Sequence, residues 1–172
     1  MTTSRETKSG KARKVKGLRF WVQAAVIAGV YAALTIALAP VSYGPLQVRV
    51  SEALTILPRF TPAAIPGLFA GCLAANLISP YGLPDLIFGS AASLLAAFVS
   101  WLLRGKAWLV PLPPVIFNGL SIGAMLYYVY SVPPSLWVDM GYVALGEFLS
   151  CFVLGLPLMK YLDKHRRIFS FE

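Results

Sequence analysis

Residues 20–40, FWVQAAVIAGVYAALTIALAP, contain no charged side chain. A helix needs about 20 apolar residues to cross about 30 Å of hydrocarbon, because it rises about 1.5 Å per residue. The apolar core of a signal peptide is shorter, about 7–15 residues, and no small-residue cleavage site follows Pro40. The stretch therefore predicts a retained membrane-spanning helix.

The composition of the whole chain extends this prediction. Hydrophobic residues make up 58% of the 172 residues and charged residues only 13%, whereas a soluble domain carries about 25% charged residues. Transmembrane β-strands would alternate apolar and polar residues over segments of about 10 residues, and no such segments occur. The sequence predicts an all-α membrane protein.

Proline and glycine divide the apolar part of the chain into six predicted spans. These are residues 18–39, 46–57, 62–78, 84–103, 107–130 and 135–160. The second is too short to cross unaided and carries charge, so we expect it inside the bundle, tilted or broken. The corresponding domains are a disordered basic tail (1–17), a six-helix transmembrane domain (18–163) and a C-terminal tail (164–172).

The cationic residues give the predicted orientation. Six spans place both termini on one side, and all of the 15 Lys and Arg residues except Arg49 then fall on that side. Cytoplasmic flanks of membrane spans are enriched in Lys and Arg, so we expect a cell-membrane protein with both termini in the cytoplasm. We expect no nucleic-acid partner. Arg49 lies at the outer end of the second span, where a deep charge costs about 2.5–3.5 kcal/mol and indicates a function or a fixed partner.

Acidic side chains gather in the predicted outer half of the bundle, with Arg49 as the single cation there. They are Glu52, Asp85, Asp139 and Glu147. Uncharged polar residues are also predicted in the middle or outer part of the bundle. They are Asn76, Asn118, Tyr127, Tyr128 and Tyr130. Together they predict a polar cavity, open to the outside and walled by aromatic residues, for a small planar polar ligand.

Structural alternatives exist for several of these acids. Arg49 and Glu52 are three positions apart, so they can neutralise each other on one helix face. Asp85 and Asp139 lie near predicted helix N-termini, where an acid can cap the helix or compensate its dipole. These three acids are therefore ambiguous candidates for a ligand site.

Glu147 and Asn118 are the strongest candidates. Glu147, in GYVALGEFLSCF, has no cation within helical reach and lies well inside the last span, which indicates a ligand or an internal polar partner. Asn118, in VIFNGLSIG, lies similarly deep, although a hydrogen bond between helices is its alternative role.

Small residues recur every four positions along the first helix in two rows. One row is Ala24, Ala28 and Ala32, and the other is Ala25, Gly29, Ala33 and Ala37. Such rows let helices approach closely in lipid. We expect one row to pack internally and the other to dock a partner protein.

Several kinds of active site are missing from the sequence. There is no GxxxxGK[ST] phosphate loop, HExxH, GxSxG or Asp-rich metal box, so any ATP-driven work must come from another chain. Cys72 and Cys151 lie in apolar runs and predict small buried residues, and His165 lies among cations in the tail. We expect no enzyme activity, cofactor or metal.

Ordered blocks of the sequence resemble the queuosine-precursor transporter (QueT) family. They are APVSYGPLQVRVSEALTILP (39–58), TPAAIPGLFAGCLAANLISPYGLPDLIFGS (61–90), PPVIFNGLSIGA (113–124) and the GE of GYVALGEF (141–148). The resemblance implies a six-helix S component of an energy-coupling factor (ECF) transporter. It also implies a partner module of two ATPases and a membrane coupling subunit, docked on a small-residue row of the first helix.

The implied cargo is a 7-deazaguanine precursor of queuosine, or queuine. A carboxylate accepts two adjacent N–H groups of a guanine-like edge as a fork, and an amide donates to the ring carbonyl. Glu147 and Asn118 are the expected leading pair, and Glu52, held by Arg49, is expected to serve the same fork or an aminomethyl cation. Asn76 and Asp85 complete the candidate set.

Two rival functions differ from this expectation. A self-sufficient secondary transporter of a small polar or cationic solute would use Glu147 as its proton site. An intramembrane enzyme is disfavoured because no nucleophile is paired with a base.

Overall fold

The computed structural model describes residues 3–43, 47–131, 135–166 and 169, with side chains from residue 17 onward. The α-helices are α1 (Thr3–Ala37), α2 (Ala39–Ser42), α3 (Ala64–Asn76), α4 (Gly82–Leu102), α5 (Leu112–Tyr130), α6 (Leu136–Phe148) and α7 (Gly155–Lys164). A 3₁₀ segment (Val50–Arg59) precedes α3, a 3₁₀ turn (Ala107–Leu109) precedes α5, and a π segment (Leu149–Leu154) joins α6 to α7. The described residues contain no strand, which confirms the all-α class.

The predicted count of six transmembrane helices needs correction. Four helical stretches in the described chain are long and apolar enough to cross a membrane: Gly17–Ala37, Gly82–Leu102, Ala107–Tyr130 and Leu136–Lys164. The predicted third span is α3, with 13 residues, and the predicted second span is the 3₁₀ segment, with 10 residues. The proline-containing sequences LPRFTP and SPYGLP lie on either side of α3 and limit its length, and Pro58 lies near the end of the 3₁₀ segment.

Contacts between segments identify the two ends of the bundle. At one end Arg59 Nη1 donates to the Arg104 carbonyl (2.6 Å), and Arg59 Nε lies 3.6 Å from Asp163 Oδ1. At the other end Asn76 Nδ2 donates to the Asp85 carbonyl (3.0 Å), where α3 ends and α4 begins. We call these the basic end and the acidic end.

The 3₁₀ winding explains how a segment of only ten residues can extend far along the bundle between its two ends. A 3₁₀-helix rises about 2.0 Å per residue against about 1.5 Å for an α-helix, so ten residues reach about 20 Å. As expected, this segment lies inside the bundle, and its buried residues include Ser51, Glu52 and Thr55.

The described part of the basic segment 1–17 forms the start of α1, while the predicted disorder of this tail stays a prediction. Helix α1 begins at Thr3 and continues without a break into the apolar stretch that begins at Gly17. Lys, Arg, Glu and Ala are good helix formers, so the membrane helix extends into the polar segment. Of the predicted C-terminal tail, residues 167–168 and 170–172 lie outside the described residues.

The first row of small residues packs against α3. A Cβ added to Gly67 would lie 2.8 Å from the Ala24 carbonyl oxygen, and one added to Gly71 would lie 2.8 Å from that of Ala28. The two backbones therefore approach as closely as glycine permits. This contact orients α1 so that Tyr31 points into the bundle, where it is fully buried.

The second row faces outward. Ala25, Gly29, Ala33 and Ala37 are exposed on the surface of the bundle, while Ala32 of the first row is half-buried. A Cβ added to Gly29 would meet no atom within 4 Å. The structure thus separates the two rows into an internal contact and a smooth free face.

Candidate functional site

Two buried carboxylates meet near the middle of the bundle. Glu52, on the 3₁₀ segment, is 1% exposed, and Glu147, on α6, is 2% exposed. A carboxylate oxygen of each and Cys151 Sγ lie within 4.8 Å of one another. We call Glu52 and Glu147 the carboxylate pair.

Glu147 has Asn118 of α5 as its main partner. Asn118 Nδ2 donates to Glu147 Oε1 at 2.9 Å, and Cys151 Sγ lies 3.7 Å from Glu147 Oε2. Asn118 Oδ1 is buried and has no hydrogen-bond partner among the described residues. The structure therefore brings the two strongest sequence candidates together and leaves one amide oxygen free for a further donor.

Glu52 is held by a residue that the sequence argument missed. The Tyr31 hydroxyl donates to Glu52 Oε1, and Glu52 Oε2 is buried without a hydrogen-bond partner in the described chain. Thr55 Oγ1 donates to the Glu52 carbonyl at 2.6 Å. Tyr31 follows Ala24 and Ile27 on the buried face of α1, and this spacing is the signal that would have placed its hydroxyl inside the bundle.

Arg49 pairs with Asp85 rather than with Glu52. Arg49 Nη2 lies 3.2 Å from Asp85 Oδ2, and Ser79 Oγ donates to the same oxygen at 2.6 Å. The expectation that Arg49 neutralises or positions Glu52 directly is therefore wrong. Burying a guanidinium requires a fully desolvated acidic partner, and α4 supplies it.

Asp85 and Asn76 belong to this second cluster. Asp85 makes no capping hydrogen bond at the start of α4 and instead forms the salt bridge. Asn76 Nδ2 donates to the Asp85 carbonyl and contacts Cys72 Sγ at 3.4 Å. Neither side chain is hydrogen-bonded to the carboxylate pair within the described residues. Asp85 binds Arg49, and Asn76 binds the backbone at the start of α4.

The tyrosines near the end of α5 do not line an internal cavity. Tyr128 is 71% exposed, Tyr127 is also exposed, and the Tyr130 hydroxyl donates to the Tyr81 carbonyl. That expectation is wrong, because these rings occupy the outer surface, as aromatic residues do at membrane interfaces. Asp139, in contrast, is buried in the first turn of α6 and makes no capping hydrogen bond.

The cysteines and the histidine behave as the sequence predicts. Cys72 and Cys151 are buried free thiols, although Cys72 Sγ also receives a contact from Ser93 Oγ at 3.2 Å. His165 is exposed at the end of α7, with its Nδ1 2.9 Å from the Tyr161 carbonyl oxygen.

The buried interior carries more negative than positive groups. Its buried acids are Glu52, Asp85, Asp139 and Glu147, and the buried cation among the described side chains is Arg49. Asp85 already engages Arg49, so the carboxylate pair has no salt-bridge partner in the described part of the chain. Such a site suits a ligand that presents N–H donors or a positive charge.

The helices and this polar centre define a polytopic α-helical membrane protein with a polar site enclosed between its segments. The family model described as QueT transporter matches residues 21–164. This chain therefore belongs to the QueT transporter family.

A relative supports the same assignment. The queuosine precursor transporter QueT of Lactococcus lactis subsp. cremoris (strain MG1363) is 30% identical over 158 residues, which cover 83% of this chain and 91% of the relative. No solved structure matches the chain.

Proposed function

We propose that this protein is the substrate-binding S component of an ECF-type importer. It captures a queuosine precursor of the 7-deazaguanine or queuine type outside the cell and delivers it inward with a separate ATPase module. Family membership and the printed function of the Lactococcus relative support the cargo. On this proposal the protein is not an enzyme.

The observation that carries the proposal is the contact between Asn118 and Glu147 beside Glu52. Glu147 offers two carboxylate oxygens to the adjacent N–H groups of a guanine-like edge. The Asn118 amide can turn its N–H from Glu147 to the ring carbonyl of the ligand. Each charged hydrogen bond contributes about 1.5–3 kcal/mol, so two or three of them would support tight capture.

The charge distribution supports the proposed direction of transport. Arg59, Arg104 and Arg166 lie at the basic end, and positively charged flanks favour the cytoplasm. Both termini then lie in the cytoplasm of a cell-membrane protein, and the acidic end faces the incoming ligand.

The exposed row of α1 is the proposed docking face for the coupling subunit of the ATPase module. Ala25, Gly29 and Ala33 form it. Ala24 and Ala28 are already covered by α3, and half-buried Ala32 lies at its margin, so this first row is not the docking face. A smooth row lets a partner helix approach closely without relying on hydrophobic association in lipid.

The rival function is a self-sufficient secondary transporter. The paired buried carboxylates favour it, because intramembrane acids often relay protons. Uptake that persists in cells lacking the ATPase module would establish the rival and refute the ECF role.

The direct test is binding of 7-deazaguanines to purified Glu147→Gln protein, measured by calorimetry. The amide replaces one acceptor oxygen by a donor, so we expect at least a tenfold loss of affinity, equivalent to about 1.4 kcal/mol. Asp163→Asn is the matched control, since it removes a carboxylate at the basic end. Wild-type affinity in Glu147→Gln would refute this site.

A further inference from the structure

The hydrogen bonds of the carboxylate pair single out one oxygen. Of the four oxygens, Glu52 Oε1 accepts from Tyr31, Glu147 Oε1 accepts from Asn118, and Glu147 Oε2 faces the Cys151 thiol. Within the described part of the chain, Glu52 Oε2 alone has no hydrogen-bond partner, although it is buried. A buried carboxylate oxygen without a hydrogen-bond donor is costly, so a proton bound to this oxygen stabilises the pair more than a proton on any of the other three.

The groups around the pair do not supply the charge that two carboxylates would need. Tyr31 of α1 and Asn118 of α5 donate to the pair, and the Cys151 thiol of the π segment lies 3.7 Å from Glu147 Oε2. Cys72 of α3 lies beside them, with its Sγ 4.0 Å from Arg49 Nη1. Each of these is a neutral donor. Among the described side chains Arg49 is the buried cation, and Asp85 of α4 already binds its guanidinium.

We infer that the ligand-free pair holds one proton, carried on Glu52 Oε2, and that a cationic group of the ligand takes the place of this proton. Two like charges less than 5 Å apart in a dry interior disfavour double ionisation. The second part rests on the proposed function and assigns Glu52 to a cationic substituent, while Glu147 and Asn118 bind the purine-like edge.

The exchange conserves charge within the site. The O–H bond of Glu52 breaks, its proton leaves to solvent, and the substituent's ammonium N–H donates to the carboxylate that remains. One positive charge leaves and one arrives, so the buried site keeps its net charge. A neutral ligand brings no replacement charge, and the proton then stays on Glu52.

Infrared spectroscopy of the ligand-free protein tests the first part without any ligand. A protonated carboxyl group absorbs at higher wavenumber than a carboxylate. We expect such a band at neutral pH in the wild type, and we expect Glu52→Gln to lose it while Asp163→Asn keeps it. A wild type that lacks this band, or a Glu52→Gln protein that retains it in full, would overturn the inference.

Tyr31→Phe gives a sharper signature and serves if Glu52→Gln fails to fold. With the proton on Oε2, Oε1 is the carbonyl oxygen that accepts from Tyr31. Removing that hydroxyl should shift the carboxyl band to higher wavenumber without abolishing it. Tyr43→Phe is the matched control, because the Tyr43 hydroxyl donates to the Ala75 carbonyl at 2.8 Å. Equal band positions in the wild type and both variants would contradict the assignment to Oε2.

Calorimetry in two buffers of different ionisation enthalpy tests the exchange. We expect close to one proton released per bound 7-aminomethyl-7-deazaguanine, which is a cation, and close to none per bound 7-cyano-7-deazaguanine, which is neutral. Equal proton release for both ligands would refute the exchange while leaving the proposed function intact. If neither ligand binds, the proposed function fails, and the infrared result alone tests the proton on Glu52.

Discussion

Arg49 shows how a single residue is explained by contacts distant in sequence. Its salt-bridge partner Asp85 is 36 positions away, whereas the sequence offered Glu52 at three positions. Spacing along a helix identifies possible neighbours on the same element only, and the partner on α4 becomes visible when the segments are packed together. The depth of Arg49 was predictable from hydropathy, but its partner was not.

Removing the Arg49 side chain should therefore destabilise the fold strongly. Arg49→Met leaves Asp85 as an uncompensated buried charge, and breaking such a pair costs about 3–5 kcal/mol. Thermal unfolding in detergent, followed by circular dichroism, measures the effect. Arg166→Met is the control, since its salt bridge to Asp163 is exposed and is worth about 0–1 kcal/mol. Similar unfolding temperatures for the two variants would contradict the structural role of the pair.

Asn118 should determine affinity through its contact with Glu147 and the ligand. Asn118→Ala removes a charged hydrogen bond worth about 1.5–3 kcal/mol, so we expect binding of 7-deazaguanines to weaken about 10- to 150-fold in calorimetry. Ser121→Ala, one turn further along α5, removes a hydroxyl that contacts only the Phe88 carbonyl in the described chain, at 3.3 Å, and should bind normally. Equal affinities would exclude Asn118 from the site.

Polar residues within apolar runs were enough to find Asn118 and Glu147 from the sequence, but Tyr31 escaped notice. An isolated acid or amide in a membrane span needs a partner, and this need is visible in the sequence. A tyrosine fits equally well at the membrane surface, as Tyr128 does. The role of Tyr31 depends on which face of α1 packs into the bundle.

At the level of elements, the crossing of α1 and α3 depends on glycine. A Cβ at Gly71 would lie 2.8 Å from both the Ala28 carbonyl oxygen and Tyr31 Cβ. Gly71→Ala should therefore separate the helices and destabilise the protein by about 1–3 kcal/mol. Thermal unfolding measures this, with Gly141→Ala as the control, because a Cβ there meets nothing within 4 Å. A stability equal to that of the control would refute the close crossing.

The type and order of the elements were predictable, but their winding was not. Hydropathy reports the length of an apolar run, so it found α1, α4, α5 and the last segment. It does not distinguish a 3₁₀ or π turn from an α-helix, because these differ in backbone hydrogen bonding. The 3₁₀ and π segments pack together, since Gly155, just after the π segment, lies against Ile56 of the 3₁₀ segment.

For the whole molecule, the two faces of α1 separate binding from docking. Gly29→Leu enlarges the exposed row without touching the buried site. We expect unchanged binding of 7-deazaguanines by the purified protein, but loss of co-purification with the ATPase module and of cellular uptake. Gly141→Leu, an exposed glycine on α6, should preserve all three. Normal uptake by Gly29→Leu would exclude this row as the docking face.

The winding of the 3₁₀ segment also limits how the chain length can vary. With three residues per turn, side chains three positions apart eclipse one another, so Glu52 and Thr55 project in one column. Inserting or deleting one residue between them would rotate one member by about 120° relative to the other. Thr55 would then no longer lie on the same face of the segment as Glu52. A change in the number of residues would therefore place the Glu52 carboxyl group and the Thr55 hydroxyl group on different sides of the helix.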